Sequence, residues 1–278
     1  IKSPVHLSIG QEAVAVGVCD PLETRDYVSP TYRGHAAYLA KGGSVPAMVA
    51  ELYGKATGCA AGKGGSMHLI APEVNVMGAS AVVGTTVPTG LGAAFAQKRL
   101  KTGAVVAVFL GDGATEEGAF YESLNFAALH RLPVLFVMEN NGLAIHTGTE
   151  KRWATDRICE RVETYGIPAQ RFPTSDVIDI RTATIEAIAA MRDGAGPHFL
   201  ECVTYRWREH VGPGYDYDQG YRDDSAYKEW QARDQVELIG GRLSNTDREA
   251  IDAAIETEIA EAFAFAEDSP WPEPDRLY

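Results

Sequence analysis

One stretch of the sequence, residues 105–146, constrains the fold more than any other. It opens with a short apolar run at 105–110, rich in β-branched residues, which predicts a strand buried on both faces. A Gly-Asp-Gly turn follows, and from Thr115 apolar residues recur at helical spacing until Pro133 stops the helix. A second apolar run at 134–138 predicts the next strand. The stretch is therefore a β-α-β unit, which favours a parallel sheet.

Two oxygen-bearing side chains follow these two strands. Asp112 lies in the turn after the first strand, and Asn141 follows the second. Because both strands end at the edge of the sheet where open α/β folds bind ligands, we expect the two side chains to be adjacent. A carboxylate, an amide oxygen and the backbone carbonyl of Leu143 form an all-oxygen half-shell. Mg²⁺ prefers such ligands and completes its octahedron with phosphate oxygens and water.

The same turn offers an anion site. Gly113 and Ala114 present backbone N–H groups at the predicted helix entrance, where anions bind. We therefore predict a site for a metal-bound diphosphate. Gly-Asp-Gly and Asn-Asn-Gly also occur in ordinary loop turns, and only their combination at successive strand ends favours a ligand site.

The composition limits the class of protein. With 278 residues and 45% hydrophobic residues, the chain is long enough for a large core, and no apolar run approaches the ~18 residues of a membrane span. The net charge of −13 disfavours nucleic acid as a partner. Four cysteines without a Cys-x-x-Cys pair favour reduced thiols and a cytoplasmic protein. The sequence begins with Ile and shows no signal peptide, so we expect N-terminal residues to be missing.

Strands and helices continue to alternate after this unit. Strands are predicted at 167–172 and 198–205, with a helix between them that Thr174 or Ser175 would cap. This alternation predicts an α/β fold with a mostly parallel sheet and helices on both faces.

The C-terminal segment is predicted to be helical. We expect a single domain over 1–278, with a helical extension at about 227–268. One apolar stripe on this extension would serve core or subunit packing. It consists of Ile251, Ala254, Ile255, Ile259, Ala262, Phe263 and Ala266.

A second polar cluster, Tyr-Arg-Gly-His, precedes another helical pattern. Arg33 can bind a phosphate through its planar guanidinium, and Tyr32 can donate a hydroxyl hydrogen bond. His35 could donate a proton or stabilise an oxyanion. Taken alone, the same four residues also match a solvated turn.

The order of these motifs resembles a known family. Gly-Asp-Gly, a helix, an apolar strand and Asn-Asn are similar to the signature of thiamine diphosphate enzymes. The segments HLSIGQEA (6–13), YRGHAAYLAKG (32–42), GKGGSMH (62–68) and TYRWREH (204–210) resemble the alpha subunit of the first, decarboxylating component of 2-oxo acid dehydrogenase complexes. These are the pyruvate, branched-chain and acetoin types. The resemblance spans nearly the whole chain and implies a thiamine diphosphate-binding fold, with thiamine diphosphate and Mg²⁺ as cofactors.

The resemblance assigns roles to individual residues. It implies that His210 is an active-site histidine on a loop that orders over the cofactor, although an exposed loop histidine is the alternative. His35 is a second catalytic candidate and His6 a third, which would lie near the substrate pocket or be a satisfied surface or core histidine. The implied cofactor-binding residues are Tyr32, Arg33, Gly111, Asp112, Gly113, Ala114, Asn141, Arg206 and His210, together with main-chain atoms around Ala81 and Val83.

The resemblance also implies a partner. In such a family the glutamate that activates the aminopyrimidine ring belongs to the beta subunit, and we find no candidate for it in this sequence. We therefore expect half of an active site, in an α2β2 heterotetramer that decarboxylates a small-molecule 2-oxo acid. The acyl group would pass to the lipoyl group of an acyltransferase component.

There are three alternatives to this function, and the sequence disfavours two of them. An acyloin-forming or ketol transferase would use the same cofactor and pass the acyl group to a carbonyl acceptor. An NAD-dependent Rossmann oxidoreductase is disfavoured because the glycines at 111, 113 and 118 miss the G-x-G-x-x-G spacing. A structural partner without catalysis is disfavoured because the candidate site residues are present together.

Overall fold

A parallel sheet of five strands lies at the centre of residues 3–274, the part of the chain that the computed structural model describes. In chain order the strands are β1 (Tyr27–Ser29), β2 (Val106–Gly111), β3 (Val134–Asn140), β4 (Leu143–Ala144), β5 (Thr147–Gly148), β6 (Ala169–Phe172) and β7 (His198–Val203). The sheet order is β1-β2-β3-β7-β6, and β4 pairs with β5 in a separate antiparallel ribbon. The predicted, mostly parallel sheet is confirmed.

Helices cover both faces of the sheet. They are α1 (Glu12–Cys19), α2 (His35–Ala40), α3 (Val45–Leu52), α4 (Thr86–Leu100), α5 (Gly118–Leu129), α6 (Ile158–Glu163), α7 (Val177–Arg192), α8 (Ser225–Gln231), α9 (Gln235–Gly240) and α10 (Asn245–Asp268). Ala107 and Phe109 belong to an apolar cluster with α1, α2 and α7. Val106, Val108 and Leu110 belong to a second cluster with α4, α5 and α6. Successive residues of a strand point to opposite faces of the sheet, so one apolar strand contributes side chains to two hydrophobic cores.

Two helix starts differ from the prediction. α5 begins at Gly118 rather than Thr115, because a 3-10 turn at Asp112–Glu116 comes first and the Thr115 hydroxyl donates to the carbonyl of Asp112 (2.7 Å). α7 is capped by Asp176, whose carboxylate accepts from two backbone N–H groups of the first turn. Ser175 instead adopts a positive φ of 48° and donates to the carbonyl of Val203.

The C-terminal helices are present, but the predicted stripe is only partly buried. α10 packs on α3 through Ala262 and Ala266, which are fully buried against Val49 and Ala50. Four other members of the stripe are between 39% and 47% exposed on this chain: Ile251, Ile255, Ile259 and Phe263. The buried contact is thus made by the small residues, which allow the two helices to approach closely.

None of the helices in the described residues combines the length and apolar character needed to cross a bilayer. The four cysteines are free thiols.

Candidate functional site

A cavity of about 310 Å³ opens at the carboxyl ends of β2 and β3. The register of these strands pairs Gly111 with Glu139, which brings the residues that follow each strand to one edge. The predicted residues that line the cavity are Tyr32, Arg33, Val83, Gly111, Asp112, Gly113, Ala114, Asn141, Leu143 and His210. The other predicted residues, His6, His35, Ala81 and Arg206, lie outside its lining, and Ser80 and Val82 line it on either side of Ala81.

Asp112 begins the 3-10 turn after β2 and is 1% exposed. Burial raises the pKa of its carboxyl, and the guanidinium of Arg152 opposes that rise. Arg152 forms ion pairs with both Asp112 and Glu116. Buried carboxylates are stabilised by hydrogen-bond donors or by positive charge; Asp112 has a positive charge beside it, so this edge of the cavity is suited to a cation.

Asn141 is the member of the Asn-Asn pair that faces the cavity. Its amide group donates to Oε1 of Gln11 (3.0 Å), and its side-chain oxygen accepts from the backbone N–H of Leu143 (3.1 Å). Asn140 is buried and donates to Oε1 of Glu201 (2.8 Å), away from the cavity lining. The two neighbours therefore differ in role: Asn140 secures β3 to β7, and Asn141 is available to a ligand.

The candidate metal ligands fit a cation that arrives with a diphosphate. Within residues 3–274, no cluster of three or more His, Cys, Asp or Glu side chains could hold a metal by itself. The available protein oxygens come from Asp112, Asn141 and the carbonyl of Leu143. Such a set leaves several positions of an Mg²⁺ octahedron to phosphate oxygens and water, which is how Mg²⁺ is usually held beside a phosphorylated cofactor.

Gly113 lies where space is limited. A Cβ atom added to it would come within 3.0 Å of the Cβ of Ala144, so a side chain there would force the β4 ribbon away from the turn. The glycine thus keeps the turn after β2 close to β4, and the backbone of this turn forms part of the cavity wall.

Arg33 supplies positive charge to the cavity. It is 7% exposed, and its guanidinium donates to the carbonyl oxygens of Leu7 (2.8 Å) and His210 (3.2 Å). Burial lowers its pKa to about 10, which leaves it protonated at neutral pH. A buried, protonated guanidinium in the lining of a cavity can bind a diphosphate.

Three histidines surround Arg33, and all of them are neutral at physiological pH. Burial, followed by the charge of Arg33, lowers the pKa of His210 to about 3 and that of His6 to about 4. Burial also lowers the pKa of His35 to about 4, and its Nε2 lies 2.9 Å from Oγ of Ser66. The rings of His6 and His210 meet edge to face, with centroids 4.9 Å apart, so His6 lies next to the cavity although it does not line it.

Arg206 lies in a compact network within the loop after β7. Its guanidinium donates to the carboxylate of Asp216 (2.8 Å), to the hydroxyl of Tyr221 (3.0 Å) and to the carbonyl of Ile145 (3.1 Å). Asp216 is fully buried and also pairs with Arg222. Arg206 therefore organises the loop that carries His210, and direct contact between Arg206 and a diphosphate stays a prediction.

Two of the cavity residues that were not predicted from the sequence are hydrogen-bonded to each other. Gln11, just before α1, and Glu139, near the end of β3, both line the cavity, and Nε2 of Gln11 donates to Oε1 of Glu139 (3.3 Å). Burial raises the pKa of Glu139 to about 7. The available signal was a carboxylate in an otherwise apolar strand, immediately before the Asn-Asn pair.

Comparison with known proteins identifies the class. The family described as "Dehydrogenase E1 component" matches residues 1–275. The chain therefore belongs to the dehydrogenase E1 component family, whose members bind thiamine diphosphate with a divalent metal, typically Mg²⁺.

Its relatives place it among the alpha subunits of that family. It is 38% identical over 278 residues to the subunit alpha of acetoin:2,6-dichlorophenolindophenol oxidoreductase from Bacillus subtilis, covering 98% of this chain and 83% of the relative. It is also 38% identical over 277 residues to the pyruvate dehydrogenase E1 component subunit alpha of Zymomonas mobilis, covering 98% and 78%. A solved structure from Mycobacterium smegmatis, described as a proposed thiamin diphosphate-dependent enzyme, shares the fold, with a TM-score of 0.50, 16% identity and coverage of 74% of this chain and 34% of the other.

Proposed function

We propose that this chain is the alpha subunit of a thiamine diphosphate-dependent 2-oxo acid dehydrogenase that decarboxylates a small-molecule 2-oxo acid together with a beta subunit. The observation that carries the proposal is that Asp112, Asn141 and Leu143, the candidate metal ligands, line the same cavity as Arg33 and His210. The family match supports the same assignment.

Each side chain has a role in this proposal. Asp112, Asn141 and the carbonyl of Leu143 bind Mg²⁺, and the backbone at Gly113 and the side chain of Arg33 bind the diphosphate. The cofactor supplies the carbon chemistry of decarboxylation when bound, and the protein supplies orientation and electrostatics. His210 is neutral, so it can donate a hydrogen bond to an oxyanion of the substrate.

The partner completes the site. We assign the carboxylate that activates the aminopyrimidine ring to the beta subunit, as the resemblance to alpha subunits of this family implies. We propose an α2β2 heterotetramer that transfers the acyl group to a lipoyl acyltransferase component, and we place it in the cytoplasm, in keeping with its free cysteines. Neither an acyloin-forming transferase nor an NAD-dependent Rossmann oxidoreductase is favoured by the family match.

The test is reconstitution. The chain is co-expressed with its beta subunit, and dye reduction that depends on a 2-oxo acid is measured with thiamine diphosphate and Mg²⁺. We expect turnover of the assembled pair, little or none of the chain alone, and loss of turnover when either cofactor is omitted. Full activity of the isolated chain, or activity of the pair without thiamine diphosphate, would contradict the proposal.

A further inference from the structure

A line of three polar side chains runs along one side of the candidate metal site. Gln11 is 2% exposed and lies between Glu139 and Asn141. Its Nε2 donates to Oε1 of Glu139 (3.3 Å), and its Oε1 accepts from Nδ2 of Asn141 (3.0 Å). Gln11 therefore uses both ends of its amide, one on a carboxylate and the other on a candidate metal ligand.

We infer that Gln11 is the positioning residue that turns the oxygen of Asn141 toward the metal. This inference rests on the proposed function, because it takes Asn141 to be a ligand of the cofactor-bound metal. Gln11 itself does not bind the metal; it acts through Asn141, in the way that residues behind the ligands of a metal commonly fix the orientation of those ligands.

The need for such a residue follows from the chemistry of the amide. Asp112 offers two equivalent oxygens, so either orientation of its carboxylate can bind a cation. The amide of Asn141 has one oxygen and one NH₂ group, and only the oxygen can bind. A half-turn about the last side-chain bond of Asn141 would therefore replace a ligand by a donor that repels the metal.

Glu139 determines how the side-chain amides of Gln11 and Asn141 are oriented. A carboxyl oxygen of Glu139 accepts, so Gln11 presents its NH₂ group there and its oxygen to Asn141. That oxygen can only accept, so Asn141 must present its NH₂ group to Gln11. The oxygen of Asn141 is then on the opposite side, where it also accepts from the backbone N–H of Leu143 (3.1 Å).

The backbone of Gln11 is held firmly enough for this task. Its N–H donates to the carbonyl of Ser8 (2.9 Å), and it directly precedes α1, which is largely buried. Gly10 has a φ of +92°, and a Cβ there would come within 2.3 Å of the carbonyl oxygen of Tyr205. The chain before α1 thus packs directly on the strand-end segment after β7, and Gln11 has little freedom to move away from Asn141.

The experiment measures metal affinity rather than turnover. Mn²⁺ serves as the probe for the Mg²⁺ site, and free Mn²⁺ is counted by electron paramagnetic resonance in the assembled alpha–beta protein with saturating thiamine diphosphate. The variants are Gln11→Met, which keeps the size but loses both hydrogen-bonding ends, and the double variant Gln11→Glu with Glu139→Gln. The double variant exchanges the amide and the carboxylate, so it keeps the net charge and an acceptor for Asn141. Gln231→Met, at an exposed position of α8, is the matched control.

We expect Gln11→Met to raise the Kd for Mn²⁺ about 10- to 100-fold, as substitutions behind the ligands do at other metal sites. The double variant Gln11→Glu with Glu139→Gln and the control Gln231→Met should both stay within about twofold of wild type, the first because it retains the acceptor for Asn141. In an Asn141→Asp background, Gln11→Met should change the Kd for Mn²⁺ by no more than about twofold, because either oxygen of a carboxylate can bind the metal.

The inference is overturned if Gln11→Met leaves the Kd unchanged, or if it weakens Mn²⁺ binding equally in the wild-type and Asn141→Asp backgrounds, which would indicate a general structural role. If Gln11→Met does not assemble, the double variant Gln11→Glu with Glu139→Gln decides: weakened Mn²⁺ binding contradicts the inference and retained binding supports it. Failure of the wild-type protein to bind Mn²⁺ in the presence of thiamine diphosphate would instead remove the proposed function, and this inference with it.

Discussion

The guanidinium of Arg33 lies 3.2 Å from Nδ1 of His210, and this contact fixes the protonation of the ring. A guanidinium can only donate, so Nδ1 must accept and the single proton of the neutral imidazole sits on Nε2. Arg33 thereby helps to define both the charge and the tautomer of His210.

Replacing Arg33 by Gln should raise the pKa of His210, because the positive charge that disfavours the imidazolium is removed. The pKa should stay below 6.5, since burial is the larger cause of its depression. In the cofactor-free chain, titration of the His210 ring followed by nuclear magnetic resonance is expected to give a pKa about one unit higher than in wild type. Arg25→Gln, at an exposed surface arginine, is the control; an unchanged pKa of His210 in the Arg33 variant would contradict the prediction.

Asp112→Asn should abolish uptake of Mg²⁺ and thiamine diphosphate by the assembled protein. The substitution keeps the shape of the side chain but removes the carboxylate of the candidate metal site, while Arg152 keeps Glu116 as its partner. Isothermal titration calorimetry of the cofactor in the presence of Mg²⁺ measures the loss. Asp218→Asn, in an exposed part of the loop after β7, should bind normally. Equal affinity in Asp112→Asn and wild type would remove the basis of the site.

Glu139→Gln should stabilise the cofactor-free chain at high pH but not at low pH. Burial raises the pKa of Glu139 from 4.5 to about 7, so the native state resists ionisation that the unfolded chain accepts. The loss of folding stability that comes from this difference in pKa is absent below pH 4.5, grows as the pH rises toward 7 and is constant above it. At pH 8 the free energy of unfolding of Glu139→Gln should exceed that of wild type by up to about 3 kcal/mol. Urea unfolding midpoints of both proteins between about pH 4 and 8 provide the measurement, and a pH-independent difference would contradict it.

Glu51→Gln should destabilise the chain strongly although it lies outside the cavity lining. The fully buried carboxylate accepts four backbone N–H bonds from the glycine-rich loop, from Ala60, Gly62, Gly64 and Gly65 at 2.6–3.0 Å. In the glutamine variant, the NH₂ group of the side chain would face some of these backbone N–H donors and leave them without an acceptor. The free energy of unfolding should fall by at least about 2 kcal/mol. Chemical denaturation measures the loss, and Glu73→Gln, at an exposed position, should be neutral.

The sheet and the main elements of the site could be predicted from the sequence because each depends on local patterns. The two apolar runs of β2 and β3 contain β-branched residues and are fully buried apart from Gly111, which is the simplest pattern to identify. Parallel pairing then brings Asp112 and Asn141 to one edge without further information. These inferences need only chain order and strand direction.

Other features depend on contacts between segments far apart in the sequence. Gln11 meets Asn141 across 130 residues, and Arg152 reaches Asp112 across 40, and neither pair has a local signature. The cap of α7 was predicted at Thr174 or Ser175 and lies instead at Asp176, although all three are competent cap residues. Ser175 has a positive φ, and residue type alone does not encode that backbone turn.

The buried carboxylate of Asp216 has a consequence for motion. Because it receives Arg206, Arg222 and Tyr221 together, breaking one of these contacts weakens the hold on the others. Such a cluster opens as a unit rather than fraying one residue at a time. The segment that carries His210 should therefore exchange its amide hydrogens at a common rate, as a small cooperative element within the larger protein.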